Sequence, residues 1–408
     1  MKKLYLLFCI PCAIFAQDLK ELVQLSIQNE IIVSEQHNKQ ALEYAHKGLQ
    51  KDKLPSATMN ANYANTLNEN ISSPKNVLGA NLQAHYQLYD GGNLNSSLES
   101  YRAKIKSAEE NIQASKNNLA LQTISHYFNY QSLVSQREVI KETIANLNTE
   151  HQRIQKFLQT GMTTKDELYL SQLTIESESI QHHEIDVQMQ NILHSLLDLT
   201  GQRASITKGS SIKEVASLVV EVRPDIKALQ YDVQDALHSA KASKSSQRPN
   251  VSLDNIATFS NANYSSNDYS DETQFNNQIS LNLSWQIFDF GASSNRYQSL
   301  YAQYLSLNTH YEYEKKKAQT ALELSNKVYE TTKLKINLAK TRLKVANVVY
   351  EMTKAKYDNH IIDYLVYLDA LSKKQLAISE LEKTKNELEI HKATIIYYSG
   401  KNLKEYIQ

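Results

Sequence analysis

The sequence predicts a mixed α/β membrane protein built by tandem duplication, with four membrane-crossing β-strands and long antiparallel coiled-coil helices in each chain. Three observations carry this. First, the stretch LGANLQAHYQLYDGG at 78–92 returns as ISLNLSWQIFDFG at 279–291. In one copy Leu82, Ala84, Tyr86 and Leu88 alternate with Asn81, Gln83, His85 and Gln87; in the other Ile279, Leu281 and Leu283 alternate with Gln278, Ser280, Asn282 and Ser284. A period of two marks a strand with one apolar and one polar face. The length exceeds the roughly 5–6 residues of a soluble strand and meets the roughly 9–11 that cross a bilayer. Second, Asn93 to Thr160 contains no Gly or Pro, and as a single helix would extend about 100 Å at ~1.5 Å per residue. Third, a constant spacing of 199 residues joins Gly92 to Gly291 and Gly201 to Gly400 without a gap, which marks a structural duplication.

Composition agrees with a few long elements. Among 408 residues only 9 are Gly and 5 are Pro. The 44 acidic and 44 basic residues cancel, so no basic field argues for nucleic acid. Met1-Lys2-Lys3, an apolar run to Phe15 and a small residue at Ala16 predict a signal peptide at 1–16. Both cysteines, Cys9 and Cys12, lie inside it, and the residues before them, Phe8 and Pro11, do not suit a lipid anchor.

The first repeat, 17–201, opens with a helix over 18–53 that Leu54-Pro55 ends, because a residue before proline is pushed out of the helical region. Strands follow at 56–67 and 78–89, joined by a polar turn, and Asp90-Gly91-Gly92 closes the hairpin. The long helix spans 92–160. Leu94, Leu98, Tyr101, Ile105, Ala108 and Ile112 repeat at spacings of 4, 3, 4, 3 and 4, a coiled-coil seam. At Leu121, Ile124, Tyr127 and Phe128 the apolar surface widens and must be covered on more than one side. Gly161 breaks the pattern, and a helix follows at 164–199. After a linker at 202–222 the second repeat, 223–400, restarts with a helix over 223–247 and strands at 250–263 and 277–289. A long helix at 291–359 and a helix at 362–399 complete it, and 401–408 form a tail. Pro55 and Pro249 are 194 apart whereas Asp90 and Asp289 are 199 apart, so the only length change lies in the second hairpin.

Four strands cannot close a barrel, since about eight is the smallest usual number, and an open edge is costly in lipid. The chain is therefore expected to oligomerise, with Asn81, Gln83, His85, Gln87, Gln278, Ser280, Asn282 and Ser284 facing water inside the closed barrel. His182-His183-Glu184 lacks zinc-ligand spacing, and no phosphate loop, nucleophile elbow or convergent carboxylate pair is present. The reading is therefore no enzyme, no metal and no cofactor.

The twice-repeated [YW]-Q-[LI]-[YF]-D-x-G signature, the Leu54-Pro55 and Arg248-Pro249 breaks and the FLQTG turn at 157–161 together resemble the TolC-type outer membrane efflux protein family, over essentially the whole chain after the signal peptide. That resemblance implies a homotrimer: a β-barrel set in outer membrane lipid and continued by an α-helical barrel in the periplasm. It implies as partners a periplasmic adaptor and an inner membrane RND or ABC transporter. It also implies a gate near the lower end. Asp369 matches one of the family's acidic positions, Val366 replaces the other, Tyr357 matches a latch tyrosine, Ile362 stands where the family has arginine, and Asp166 and Glu167 hold the acidic partner side. Adaptor docking falls to the helix-turn tips at Gly161, Met162 and Thr163, and at His360 and Ile361. The expected function is the exit duct of a tripartite efflux pump for drugs and other small molecules. The outer membrane component of a type I protein secretion system is the first alternative, and a secreted coiled-coil adhesin or structural protein the second.

Overall fold

The structure is a computed structural model that describes residues 16–68, 70, 72–214, 220–265 and 270–408. The signal peptide expected at 1–16 lies outside the described residues up to 15, as do 69 and 71, 215–219 of the linker, and 266–269 of the second hairpin tip. In chain order the elements are β1 (Ala16–Gln17), α1 (Leu19–Ser26), α2 (Glu30–Lys51), β2 (Ser56–Asn65), β3 (Asn76–Tyr89), α3 (Asn93–Gln159), α4 (Lys165–Thr200), β4 (Ser205–Ile206), α5 (Pro224–Lys244), β5 (Asn250–Asn263), β6 (Glu272–Ser284), α6 (Ala292–Asp358) and α7 (Tyr364–Tyr398). None of the described helices is long and apolar enough to cross a membrane.

Two compact units form. One takes Glu35–Asn111 and Asp225–Glu314, and its centre is an antiparallel sheet in the order β2-β3-β5-β6. The register puts like with like. Asn60, Asn81, Thr258 and Asn276 form a row across all four strands, and the next row is Ala61, Ala80, Phe259 and Phe275. Each strand's two-residue period thus sums to one polar and one apolar face for the sheet. β2 and β6 are its edges.

The alternation expected over 277–289 continues past the end of β6, which spans 272–284 instead. Ser284 pairs with Asn250, the first residue of β5, so the chain beyond it has run out of partner on that side. β3 runs on to Tyr89 because β5 lies on its other side and pairs with Tyr86, Gln87 and Tyr89. Trp285 to Phe288 carry the same pattern with no ladder to join. Helix 223–247 likewise divides, with α5 ending at Lys244 and a 3₁₀ turn over Ser245–Gln247 bringing the chain to Arg248-Pro249.

The second unit takes the chain up to Ser34, Ile112–Pro224 and Lys315–Gln408. The single helix expected at 18–53 is two, broken at 27–29. Asn29 causes the break: its side-chain oxygen accepts the Ile31 N–H at 2.9 Å, and its Nδ2 donates to the Asp198 and Leu199 carbonyls at 3.0 and 2.9 Å. One side chain caps the start of α2 and satisfies free carbonyls at the end of α4. Leu199 packs there on Ile32, Ile112 and Leu119.

Ala120, Ile124, Tyr127 and Phe128, the wide apolar stretch of α3, are covered by Leu19, Leu22 and Val23 of α1, by Ala393 and Ile396 of α7, and by Ile212, Leu403 and Ile407. The last three come from segments expected as a linker and a tail. Ile212 pairs with Ile407 in a bridge, and the buried Lys392 donates to the Ile212 carbonyl at 3.3 Å and to Glu389 at 2.8 Å. These segments are part of the core because a helix apolar on more than one side needs covering that two neighbours cannot supply.

Candidate functional site

The polar face of the sheet gathers the eight residues named above and adds one that the sequence reading passed over. Asp254 of β5 is 7% exposed. His85 Nδ1 lies 2.6 Å from its Oδ1, while Asn282 Nδ2 and Ser252 Oγ donate to its Oδ2 at 2.8 and 3.0 Å. Three strands thus converge on one carboxylate. The signal was available: Asp254 is an acid in a period-two strand, on the face opposite Leu253. Asn60 Nδ2 donates to Asn81 at 3.0 Å, so this face is a hydrogen-bonded wall.

Each hairpin hands over to a long helix through Asp-x-Gly. Asp90 accepts the Gly92 and Leu94 N–H groups at 2.9 and 2.6 Å, and Asp289 accepts those of Gly291 and Ser293 at 3.0 and 2.7 Å. The signature is a helix cap. Its middle residue has positive φ, 73° at Gly91 and 53° at Phe290. At Gly91 glycine is required twice over, because a Cβ there would sit 2.6 Å from the Ser245 carbonyl oxygen.

The two turn tips are built alike. Met162 N–H bonds the Phe157 carbonyl and Ile361 N–H the Lys356 carbonyl, both at 2.9 Å, so each long helix ends in a Schellman cap around a left-handed residue. That residue is Gly161 with φ 73° and His360 with φ 60°. His360 lays its ring 5.4 Å from that of Phe157. Between the tips lies a cleft of about 380 Å³ lined by Met162, Thr163, Asp166, Glu167, Tyr357, His360 and Ile362, among others. Thr163 Oγ1 donates to the Glu167 carboxylate, which also lies near the end of α4 capped by Thr164.

Not all the expected gate residues meet there. Val366 and Asp369 are exposed and do not line the cleft. The Asp369 carboxylate is occupied by Lys373 Nζ of its own helix at 2.6 Å. What the sequence reading missed is a cluster of Tyr350, Tyr357, Tyr364 and Tyr367 packed with Leu147 and Ile154 of α3. Tyr357 stacks on Tyr367 at 5.0 Å between centroids, 17° from parallel. The Arg153 guanidinium lies 5.0 Å from the Tyr357 ring, and donates to Asp358 and Glu150, each at 2.7 Å. Burial, with Glu150 next, pushes the Tyr357 phenol well above the ordinary tyrosine range. Four tyrosines within 18 positions, at spacings of 7, 7 and 3, were the legible sign.

His182, His183 and Asp186 bring ligand-type atoms within 4.8 Å of one another. Asp186, however, already pairs with Arg137 Nη1 at 3.4 Å and His182 Nδ1 at 3.5 Å.

The profile of the family described as outer membrane efflux protein matches residues 22–202 and matches again at 215–401. No curated protein matches the sequence. Among solved structures, the chain is similar to the Campylobacter jejuni CmeC outer membrane channel with a TM-score of 0.81 at 16% identity, covering 94% of this chain and 85% of that one. The outer membrane protein VceC of Vibrio cholerae gives 0.80 at 14%, covering 94% and 96%. The open state of the Neisseria gonorrhoeae MtrE outer membrane channel gives 0.78 at 15%, covering 94% and 89%.

Proposed function

Since the chain belongs to the outer membrane efflux protein family, we propose that it is the outer membrane exit duct of a tripartite pump, passing drugs and other small molecules to the exterior. The observation that carries this is the sheet. One face is a hydrogen-bonded polar wall, the other is apolar, and both edges are unpaired. Such a surface suits lipid outside and water inside only when the edges are closed. Three copies supply twelve strands, above the minimum of about eight for a barrel, with the signal peptide removed after Ala16 and the helices in the periplasm.

The two helix-turn tips carry the gate and the docking surface. The tips at Gly161 to Thr163 and at His360 and Ile361 offer exposed turns, with Met162 and Ile361 uncovered, to the hairpin of a periplasmic adaptor, which couples the duct to an inner membrane RND or ABC transporter. The tyrosine cluster and Arg153 hold the α6–α7 turn against α3, and opening separates them. Transport through such a duct makes and breaks no covalent bond.

Deletion of the gene tests the reading. Hypersensitivity to dyes, bile salts and antibiotics, restored by the intact gene, is the expected result, and unchanged susceptibility contradicts efflux. A loss of an exported protein with normal drug resistance would instead assign the duct to type I secretion.

A further inference from the structure

The duplication in the sheet gives the register of a contact that no single chain makes. Corresponding residues of β2 and β5 are 194 apart and those of β3 and β6 are 199 apart. The structure obeys these two numbers. Ser56 pairs with His85 in the first hairpin, and the residues at those offsets, Asn250 and Ser284, pair in the second. The same offsets apply to the seam between the repeats, where β3 pairs with β5 through Ala84 with Asn255 and Gln83 with Ile256. Carried forward, 84 becomes 283 and 255 becomes 61, so Leu283 of one chain faces Ala61 of another. In the same way Asn282 faces Asn62.

We infer that β6 of one copy pairs antiparallel with β2 of a second copy in this register, and that Phe290 packs on Leu54 across the same seam. The inference rests on the oligomeric duct proposed above and adds which residues meet.

Two further observations point to this register. The faces agree along the regular part of the seam: Leu281, Leu283 and Trp285 fall opposite Tyr63, Ala61 and Met59, all on the apolar side, and past the counterpart of the register shift between Gln87 and Tyr89 Phe288 falls opposite Ala57. Ser284 and Asn282 fall opposite Asn60 and Asn62 on the polar side. The large apolar residues of both edges are exposed in the single chain. The seam also gives Trp285 to Phe288 the ladder that their counterparts Tyr86 to Tyr89 have with β5.

The junction below the seam carries a paired change. Between the repeats, Arg248 Nη1 donates to the Gly91 carbonyl at 3.0 Å, and Gly91 is buried. The corresponding residues at the outer seam are Leu54 and Phe290. Arginine and glycine have become leucine and phenylalanine together, replacing a polar contact by an apolar one. In the single chain Leu54 is 64% and Phe290 91% exposed. Two large apolar side chains at matching positions of the two edges are each left bare by the fold and each need a partner. Glycine, asparagine or aspartate would be the ordinary occupant of an exposed left-handed-φ turn; Phe290 keeps φ at 53° and so carries backbone strain to place an aromatic ring there.

The test uses the full-length chain in isolated outer membranes, with the two native cysteines, Cys9 and Cys12, controlled by the unaltered chain. Directly opposed residues in antiparallel strands have Cα atoms about 4.5–5.5 Å apart, inside the disulfide range of roughly 4.4–6.8 Å. A slip of two residues puts them about 7–8 Å apart, outside it. Ala61→Cys with Leu283→Cys is oxidised with copper phenanthroline and run without reductant. The slipped pairs Ala61→Cys with Leu281→Cys and Tyr63→Cys with Leu283→Cys are run beside it, and Ala84→Cys with Asn255→Cys reports that the sheet has formed. Intermolecular cross-linking of most of the Ala61/Leu283 chains, with several-fold less in the slipped pairs, is expected. Preferential cross-linking of a slipped pair overturns the register while leaving the oligomer standing. Efficient closure of Ala84/Asn255 with no intermolecular product from any other pair overturns the register and the oligomeric duct together.

Discussion

Gly91 and Gly161 share a positive φ near 73°, yet their surroundings differ, and substitution separates backbone from packing. Gly161→Ala meets open space and is expected to cost about 1–2 kcal/mol from the left-handed backbone alone. Gly91→Ala adds a Cβ 2.6 Å from a backbone carbonyl and is expected to cost more than twice that, measured as denaturant midpoints of the two variants. At the seam, Leu54→Arg with Phe290→Gly rebuilds the Arg248–Gly91 pair at the second junction. Each single change is expected to lower the dissociation temperature of the oligomer, and the double change to recover part of the loss; simple additivity contradicts the contact. Lys373 pairs with Asp369, so if Asp369 faces the proposed pore, Lys373→Ala is expected to strengthen block of bilayer conductance by multivalent cations and Asp369→Ala to remove it. Block that ignores both changes rejects Asp369 as a pore group.

Among the elements, the tyrosine cluster at the end of α6 and start of α7 makes a pH prediction. Burial is the main cause that raises Tyr357, Tyr364 and Tyr367 above the ordinary value, followed by Glu150 for the first two and by Tyr350 for the third. A raised acid pKa means that the folded hairpin holds protons the unfolded chain would release, so its contribution is complete below about pH 10 and falls as pH rises above it. Amide exchange at 350–371 is expected to quicken above that pH ahead of exchange in α1, and Arg153→Ala to lower the onset; exchange that stays parallel in both regions contradicts it. The strands, long helices and turns were legible because each rests on local chemistry: alternation, an unbroken helical run, or a Gly or Pro. The break at Asn29 was not, because Asn29 acts on carbonyls 169 and 170 positions away. Arg153 was missed for the same reason, since its partner Asp358 is 205 positions distant. Asp254, by contrast, was visible as an acid in a membrane-length strand, but its partners His85 and Asn282 lie 169 and 28 positions away. The end of β6 was overread because alternation reports what a strand can do, whereas pairing needs a neighbour.

For the whole molecule, the controlling fact is that one chain builds a sheet with a lipid-type face, a water-type face and two free edges. No arrangement of four strands satisfies those edges in a bilayer, whatever the helices do. The duplication extends to the helix starts, since the Asp-x-Gly caps at Asp90 and Asp289 begin both long helices in the same way. The proposed duct is thus a property of an assembly, and stoichiometry is its most direct test. Native mass spectrometry of the full chain, extracted from outer membranes in mild detergent, is predicted to give a particle of three copies. A folded, membrane-extracted single chain would contradict the duct at its foundation.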